Sequence, residues 1–396
     1  MNDRAKDFPL LGKELDGQPI TYLDSASTTP RPRVVIDAVT RYYTDLGANV
    51  HRGVHPLGET STAAYERARY QVASLIGASP SEIVFTRNAT ESFNLVAQGL
   101  GLDPVRDEVI LPASEHHSNY MPWRMHAIPV LIDIDDETVP RYHQLKERIT
   151  PHTRLATVAH VSNVNGVIAP VEEWIKTAHD AGVPVMIDAS QSVSHLPIDV
   201  RKLGCEYLAF SSHKIFGPSG VGVLYVRADQ FDKLALYNVG GGMVAYHGED
   251  RYEAREAPFR YEAGTPNIEG AIGLDAALGY LRNIGLSTVA QHSQRLGDML
   301  VRELGALPGA RVLGGSVPPE RRVALCTLSL PVPAMTQANI ARLLADSHAI
   351  LVSGGYHCAH VLHHRAHLDG TLRASAHLFN DEADVERLVS ALRDLV

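Results

Sequence analysis

The sequence has little cysteine. Cys205, Cys326 and Cys358 are the only three among 396 residues. Three scattered cysteines cannot form the disulfide framework of a small secreted domain, and no Cys-x-x-Cys pair suggests a structural zinc site. We therefore expect reduced thiols and no resident metal.

Long apolar runs and an excess of positive charge are missing as well. No stretch approaches the roughly 20 apolar residues that a transmembrane helix needs, and residues 1–13 lack the apolar centre of a secretory signal. The formal net charge of −9 disfavours nonspecific binding to nucleic acid or to anionic membranes. These absences predict a cytoplasmic protein that binds neither nucleic acid nor membrane.

Short apolar runs alternate with longer helical patterns between Tyr22 and Arg227. This alternation is typical of an α/β fold in which a mainly parallel sheet lies between helices. A helix is predicted over 60–76, with Thr60 or Ser61 as its cap and Gly77 at its end. The candidate strands are 82–86, 108–112, 155–160, 183–188, 207–210 and 221–226.

The pattern changes after Gly264. Long helices are predicted at 268–284 and 286–304, strands near 323–330, and an amphipathic helix at 381–396. A chain of this length fits one large domain with a smaller partner. We predict a large domain at 16–264 and a smaller α+β domain at 265–396 that includes residues 1–15.

Lys214 lies in the strongest local motif, Phe-Ser-Ser-His-Lys-Ile-Phe-Gly-Pro-Ser-Gly at 210–220, between a strand end and a glycine-rich turn. Ligands of open α/β sheets bind beyond the carboxyl ends of the strands, and glycine permits close backbone approach. An isolated loop lysine is usually a solvated one. A functional role for Lys214 therefore depends on the neighbouring motifs.

Asp188 follows a buried apolar run directly, where a carboxylate needs a cationic partner. The protonated ring nitrogen of a pyridine cofactor would supply that partner, and Gln191 could hydrogen-bond the ring hydroxyl. The alternative is that Asp188 only caps a helix.

Two further motifs also begin where a strand ends. Small and hydroxylated residues at 85–92 start a helix whose free amides and positive dipole end favour an anion, to which Thr90 adds a hydroxyl. A simple capping box formed by Asn88 and Glu91 is the alternative.

In the segment 114–119, His116 offers a ring that could stack on a cofactor and an imidazole that titrates near neutrality, although histidine pairs in loops are often ordinary surface.

Together these motifs closely resemble the cysteine desulfurase branch of the class V aminotransferase family, in the group that includes selenocysteine lyases. The resemblance spans nearly the whole chain, and its motifs occur in order at 22–26, 50–55, 160–163, 210–220, 261–267 and 372–375. It implies the fold of pyridoxal phosphate (PLP)-dependent transferases of fold type I, PLP as cofactor, an amino acid substrate and a homodimer.

The resemblance also implies roles for individual residues. Lys214 would bind PLP covalently, Asp188 would pair with the pyridinium, and His116 would stack on the ring. Arg373 would hold the substrate carboxylate with its planar guanidinium. The remaining implied contacts are Thr90, Ser211 and His213 to the phosphate, Asn163 and Gln191 near cofactor and substrate, His55 to the substrate, and Thr265 reaching the partner's site.

The segment 353–360 resembles the family loop that carries the sulfur-accepting cysteine. Cys358 would then attack the substrate sulfur as a thiolate, giving an enzyme persulfide and L-alanine, and a sulfur-acceptor protein would follow as partner. The alternative is that Cys358 is a small buried apolar residue.

The segment 353–360 and its surroundings also differ from these relatives. They usually have arginine, histidine and proline where this chain has Ser353, Tyr356 and Val361, and the stretch 124–133 is shorter than theirs. A second reaction therefore stays open, namely a carbon-sulfur lyase that acts on a larger cysteine S-conjugate by β elimination. An aminotransferase or a decarboxylating deaminase on the same scaffold is a third.

The sequence leaves two other classes of protein open. Zinc could bind a histidine-rich cluster in one short segment; its members are His357, Cys358, His360, His363, His364 and His367. A noncatalytic binding protein is the other, but it would not need the lysine, the aspartate and the arginine together.

Overall fold

A computed structural model describes residues 3–332 and 335–395. Its helices are α1 Arg33–Arg41, α2 Pro56–Ile76, α3 Ala89–Gly99, α4 Met121–His126, α5 Leu145–Arg148, α6 Val171–His179, α7 Val200–Leu203, α8 Ile268–Ile284, α9 Leu286–Gly305, α10 Gln337–His348, α11 His360–Arg365 and α12 Glu382–Arg393. Within the described residues, no helix combines the length and apolar character that crossing a bilayer requires.

The strands are short, as is usual where helices cover a sheet. In chain order they are β1 Glu14–Leu15, β2 Gln18–Pro19, β3 Thr21–Tyr22, β4 Ile83–Thr86, β5 Glu108–Pro112, β6 Ile128–Ile132, β7 Thr153–Ala159, β8 Val185–Asp188, β9 Tyr207–Ser211, β10 Gly222–Val226, β11 Val244–His247, β12 Tyr252–Ala254, β13 Arg311–Val312, β14 Leu325–Ser329, β15 Ile350–Leu351, β16 Ser353–Gly355 and β17 Thr371–Ser375.

A seven-stranded sheet forms the centre of the fold, in the order β4-β10-β9-β8-β7-β5-β6. Its pairs are parallel except where β10 lies antiparallel between β4 and β9. Every residue of β8, β9 and β10 is buried, because helices cover both faces of the sheet. The predicted α/β class with a mainly parallel sheet is confirmed.

Helix α2 begins earlier than predicted. It starts at Pro56 rather than near residue 60, because the fixed φ of proline suits the first helical position and His55 supplies the cap. The Nδ1 atom of His55 accepts a hydrogen bond from the backbone N–H of Gly58 at 3.2 Å. The predicted end is correct, since Gly77 closes the helix in the left-handed conformation.

A second, antiparallel sheet with the order β13-β14-β17-β16 carries the later part of the chain. Side chains of α9, α10 and α12 share its core, whereas those of α8 pack with the core of the large sheet. The domain boundary at residue 264 stays a prediction. The predicted terminal helix is present as α12, and Val396 lies outside the described residues.

The third strand of the chain joins this later part. β3 pairs in parallel with β15, which sets Thr21 opposite Ile350 and Tyr22 opposite Leu351. A further bridge links Asp24 to Ser375, at the end of β17. Residues 21–24 therefore connect the start of the chain to the second sheet.

Two buried histidines stack where the loop after β8 meets the segment that follows β17. The rings of His195 and His377 have centroids 4.3 Å apart, and Ser293 Oγ lies 2.9 Å from His195 Nδ1. Burial lowers the pKa of His195 to about 4 and holds the pKa of His377 well below its ordinary value. Both imidazoles are therefore neutral at neutral pH.

This pair predicts a loss of stability in mild acid. Below pH 6.5 these histidines are protonated in the unfolded chain but stay neutral in the folded protein. The free energy of unfolding therefore falls as the pH drops from about 6.5 to about 4. The shift at His195 alone corresponds to roughly 3 kcal/mol. Urea unfolding midpoints should therefore fall over that range, and less steeply in His195→Asn, which keeps an acceptor but does not titrate. The exposed His143→Asn is the control; an unchanged slope in His195→Asn would contradict the prediction.

Candidate active site

The carboxyl ends of β4, β5, β7, β8 and β9 converge on one pocket of about 420 Å³. Parallel strands bring their ends to the same edge of the sheet, where ligands of such sheets bind. Ten of the twelve predicted site residues line this pocket: Thr90, His116, Asn163, Asp188, Gln191, Ser211, His213, Lys214, Cys358 and Arg373.

Lys214 ends a short 3-10 turn that follows β9, and its half-buried side chain lines the pocket. Burial lowers the pKa of its ammonium to about 8, and Asp188 opposes this shift in part. An amine with a lowered pKa is more often neutral and hence nucleophilic. This arrangement suits a covalent bond to an aldehyde.

Asp188 is the last residue of β8 and is buried. Its Oδ1 accepts a hydrogen bond from the backbone N–H of Ser190 at 2.8 Å. Burial raises the pKa of this carboxyl above its ordinary value, so the anion gains from any cation placed beside it. A protonated pyridine nitrogen meets that need.

The N-terminus of α3 forms a hydroxyl-rich cradle. Asn88 caps the helix and accepts from the N–H of Glu91 at 2.9 Å, while Ser211 Oγ accepts from the N–H of Ala89 at 2.9 Å. Thr90 Oγ1 lies 2.6 Å from Ser118 Oγ. Hydroxyls at a helix N-terminus suit a phosphate group.

Glycine is required beside this cradle. A Cβ atom at Gly222, the first residue of β10, would lie 2.4 Å from the carbonyl carbon of Asn88. Such an approach is impossible for other residues, so Gly222 lets the start of α3 lie directly against the sheet.

His116 lines the pocket. The sequence analysis predicted that it titrates near neutrality, and this prediction is wrong. Burial, with the nearby Lys214 as a smaller cause, lowers the pKa of its imidazole to about 3. Nδ1 accepts from the N–H of Ser118 at 3.0 Å, so the proton of the neutral ring is on Nε2. Stacking of this ring on a cofactor stays a prediction.

Arg373 is buried in β17 and held by two parts of the chain. Its Nη1 donates to the carbonyl oxygen of Asn163 at 2.8 Å, and its Nη2 donates to Ser27 Oγ at 2.8 Å. Ser27 in turn donates to Asp24 Oδ1 at 2.7 Å. The Nε atom of Arg373 is buried without a hydrogen-bond acceptor among the described residues. The guanidinium therefore has a donor left for a further anion.

Cys358 has an exposed side chain and lines the same pocket as Lys214 and Arg373. Cys205 and Cys326 are both buried. The alternative that Cys358 is a buried apolar residue is therefore wrong.

Two predicted residues lie elsewhere. His55 is exposed and caps α2. Thr265 is exposed and lines two other surface pockets. Neither lines the pocket of Lys214 within one chain.

The histidine-rich segment does not gather metal ligands. Over residues 3–332 and 335–395, no three side chains of the histidine, cysteine, aspartate and glutamate types come together in a way that could hold a metal ion.

Several pocket residues were missed by the sequence analysis. Ser27 follows the 22–26 motif by one position, Ser118 lies two residues after His116, and His357 precedes Cys358. Glu115, behind the pocket, accepts from the N–H of Ala159 at 2.9 Å, and burial raises its pKa to about 8. Their positions beside the motifs were the available signal.

These groups fit PLP. The pocket offers an amine for its aldehyde, a buried carboxylate for its ring nitrogen, and a hydroxyl-rich helix N-terminus for its phosphate. Each contact is matched to the chemistry of one part of the cofactor.

Comparison with known proteins points to the same family. The family described as aminotransferase class-V matches residues 21–388. A probable cysteine desulfurase of Synechocystis is 36% identical over 98% of this chain and 94% of its own length.

Two solved structures share the fold over nearly their whole length. The apo cysteine desulfurase of Thermococcus onnurineus is 37% identical with a TM-score of 0.92, covering 100% of this chain and 97% of the other. The cysteine desulfurase CsdA of Escherichia coli, solved as its S-sulfonic acid, is 34% identical with a TM-score of 0.88, covering 99% and 97%. The chain therefore belongs to the class V aminotransferase family, in its cysteine desulfurase branch, whose cofactor is PLP.

Proposed function

We propose that the protein is a PLP-dependent cysteine desulfurase that converts L-cysteine to L-alanine and keeps the sulfur on Cys358 as a persulfide. One observation carries the proposal: an exposed thiol shares a pocket with a lysine of lowered pKa and a buried arginine. The relatives named above support the same reaction.

PLP and the residues of the pocket have different roles in the proposed reaction. When bound, PLP supplies an electron sink conjugated to the substrate Cα. Asp188 would keep its ring nitrogen protonated, and Thr90, Ser211 and His213 would hold its phosphate. Lys214 Nζ would accept the proton from the substrate Cα, a task suited to an amine with a pKa of about 8.

Arg373 orients the substrate. Its guanidinium binds the carboxylate, and the hydrogen bonds from Arg373 to Asn163 and Ser27 fix the direction of that binding. Asn163, Gln191 and the neutral ring of His116 complete the wall of the pocket.

Cys358 takes the sulfur. Its thiolate attacks the substrate Sγ, the new S–S bond forms as the Cβ–Sγ bond breaks, and the bonding electrons stay with the carbon fragment, which gains protons to become alanine. Cysteine and enzyme thiol thus give alanine and enzyme persulfide without an external oxidant. An acceptor protein then removes the outer sulfur.

Replacing Cys358 with alanine tests this proposal. The variant should lose at least about 100-fold in alanine formation from L-cysteine, because no nucleophile remains to accept sulfur. Alanine, pyruvate and sulfide should be quantified together, with mass spectrometry of Cys358 in the wild type. Cys205→Ala, which removes a buried thiol, should retain activity. Full alanine formation by Cys358→Ala would disprove the persulfide route.

A carbon-sulfur lyase is the second candidate. Ser353 lines the pocket beside Cys358 and Arg373 where the relatives usually have arginine, and its small side chain leaves room for a larger cysteine S-conjugate. Release of pyruvate, ammonia and a free thiol from such conjugates, at rates independent of Cys358, would favour this reaction.

The proposal also includes an oligomeric state and a cellular location. We propose a cytoplasmic homodimer in which Thr265 contributes to the partner's site and His55 lies near its substrate. In support, Thr265 lines two surface pockets that do not include its own Lys214. Val54 and Val239, close in sequence to the pocket residues Arg52 and Asn238, are 97% and 67% exposed. Exposed apolar side chains of this kind often mark an interface.

A further inference from the structure

The turn that carries Cys358 has an unusual backbone. His357 and Cys358 have φ of 48° and 56°, so two successive residues with a Cβ adopt the left-handed region. Non-glycine residues occupy this region only where the surroundings hold them there. The position of the Cys358 thiol therefore depends on what holds the turn.

Two hydrogen bonds hold the turn from the large sheet. The carbonyl oxygen of His357 accepts from Asn163 Nδ2 at 2.8 Å, and the carbonyl oxygen of Cys358 accepts from the N–H of His117 at 2.8 Å. Asn163 follows β7 and His117 follows β5. These bonds fix the main chain of the turn, but they do not reach the His357 side chain.

The hydroxyl of Thr371 holds the turn from the second sheet. His357 Nε2 lies 3.0 Å from Thr371 Oγ1 and 3.1 Å from its carbonyl oxygen. His363 Nε2 lies 2.9 Å from the same hydroxyl, and His363 Nδ1 lies 3.0 Å from the carbonyl oxygen of Ala359. One hydroxyl thus connects the residue before Cys358 to helix α11 after it.

The direction of each bond follows from its acceptors. A carbonyl oxygen only accepts, so His363 Nδ1 donates to Ala359 and His357 Nε2 donates to Thr371. Burial lowers the pKa of both imidazoles, which are therefore neutral. The Nε2 atom of His363 is then an acceptor for the Thr371 hydroxyl, whose other acceptor, the carbonyl oxygen of Gly355, is farther at 3.4 Å.

Thr371 and His363 are fully buried. Water cannot replace a bond that is removed from this network, so loss of the hydroxyl would leave the Nε2 atom of His363 without its donor. The left-handed turn would lose its link to α11 and relax toward more ordinary angles. A shift of the Cys358 thiol by even 1 Å can cost about 100-fold in a transfer between positioned groups.

We propose that Thr371 is a positioning residue for sulfur transfer: its buried hydroxyl joins His357 to His363 and thereby holds the Cys358 turn in the conformation that places the thiol in the pocket. The proposal rests on the function proposed above, because it assigns to Cys358 the role of nucleophile. In this proposal Thr371 determines the position of the thiol but takes no part in binding the cofactor or the substrate.

Thr371→Val removes the hydroxyl and keeps the shape of the side chain. The holoenzyme of this variant should form persulfide on Cys358 about 10- to 100-fold more slowly in a single turnover with L-cysteine, followed by mass spectrometry. Exchange of the substrate α-proton in D₂O, which needs Lys214 but not Cys358, should stay within about twofold of the wild type. A merely destabilised protein would lose both.

Matched variants complete the test. Thr371→Ser retains the hydroxyl and should restore the wild-type rate, while His363→Leu removes its acceptor and should slow the same step. Thr153→Val removes another buried threonine hydroxyl, at the far end of β7, and should leave both measurements unchanged.

The outcomes separate the two proposals. If wild-type Cys358 forms persulfide and both Thr371→Val and His363→Leu match its rate, the positioning role is wrong while the desulfurase function stands. If the wild type forms alanine without persulfide on Cys358, the proposed function fails and this role fails with it.

Discussion

Replacing Lys214 with alanine is expected to abolish the reaction. The variant loses the amine that, in the proposed mechanism, binds the cofactor covalently and moves the substrate α-proton, so turnover should fall by at least about 10³-fold. The visible absorption of covalently bound PLP should disappear from the purified protein. Both effects are measurable by an alanine assay and an absorption spectrum.

Lys202→Ala is the matched control for this prediction. Lys202 is an exposed lysine of α7 whose ammonium lies 3.6 Å from Asp199. It should keep the wild-type spectrum and rate. A Lys214→Ala protein that still holds PLP through a covalent bond would show that the cofactor is attached elsewhere, and the assignment of the pocket would have to be abandoned.

Asp188→Asn is expected to have the second largest effect. Asparagine has the size of aspartate and can still accept from the N–H of Ser190, but it carries no charge to keep the ring nitrogen protonated. The rate should drop by about 100-fold or more, which corresponds to ~2.7 kcal/mol of transition-state stabilisation. Steady-state kinetics at saturating PLP would measure this.

A control variant distinguishes charge at the ring from charge in general. Asp180 lies just after α6 and forms an exposed ion pair with Lys176. The Asp180→Asn variant should behave as the wild type. If Asp188→Asn kept full activity with PLP bound, the carboxylate would not be the partner of the ring nitrogen.

The apolar patterns predicted most strands of the large sheet because most of its buried strands contain a short apolar run. The predicted strand at 108–112 and the predicted helix at 268–284 match β5 and α8. β6 was missed: it is an edge strand that contains Pro129, and proline is tolerated only where no ladder partner needs its N–H.

The site was predictable where its residues follow strand ends, because parallel topology brings those ends together. Asp188, His116 and Lys214 are of this kind. The position of Ser27 beside the 22–26 motif was a signal, but its hydrogen bond with Arg373 was not predictable, since it joins residues far apart in the chain. The low pKa of His116 was equally hidden, because it depends on burial and on its distance from Lys214.

The left-handed turn at His357 and Cys358 shows the same limit. Neither residue is glycine, the residue type that adopts positive φ routinely, so the local sequence did not predict two such residues in succession. It results from bonds to Asn163, His117 and Thr371, which only the folded chain brings together.

The pairing of β3 with β15 has a consequence for biosynthesis. The ribosome synthesises Thr21 and Tyr22 long before Ile350 and Leu351, so β3 cannot pair with β15 until almost the entire polypeptide has been made. The bridge from Asp24 to Ser375 forms later still. Because Asp24 lies 3.5 Å from Arg373, the part of the pocket around Arg373 is completed only near the end of translation.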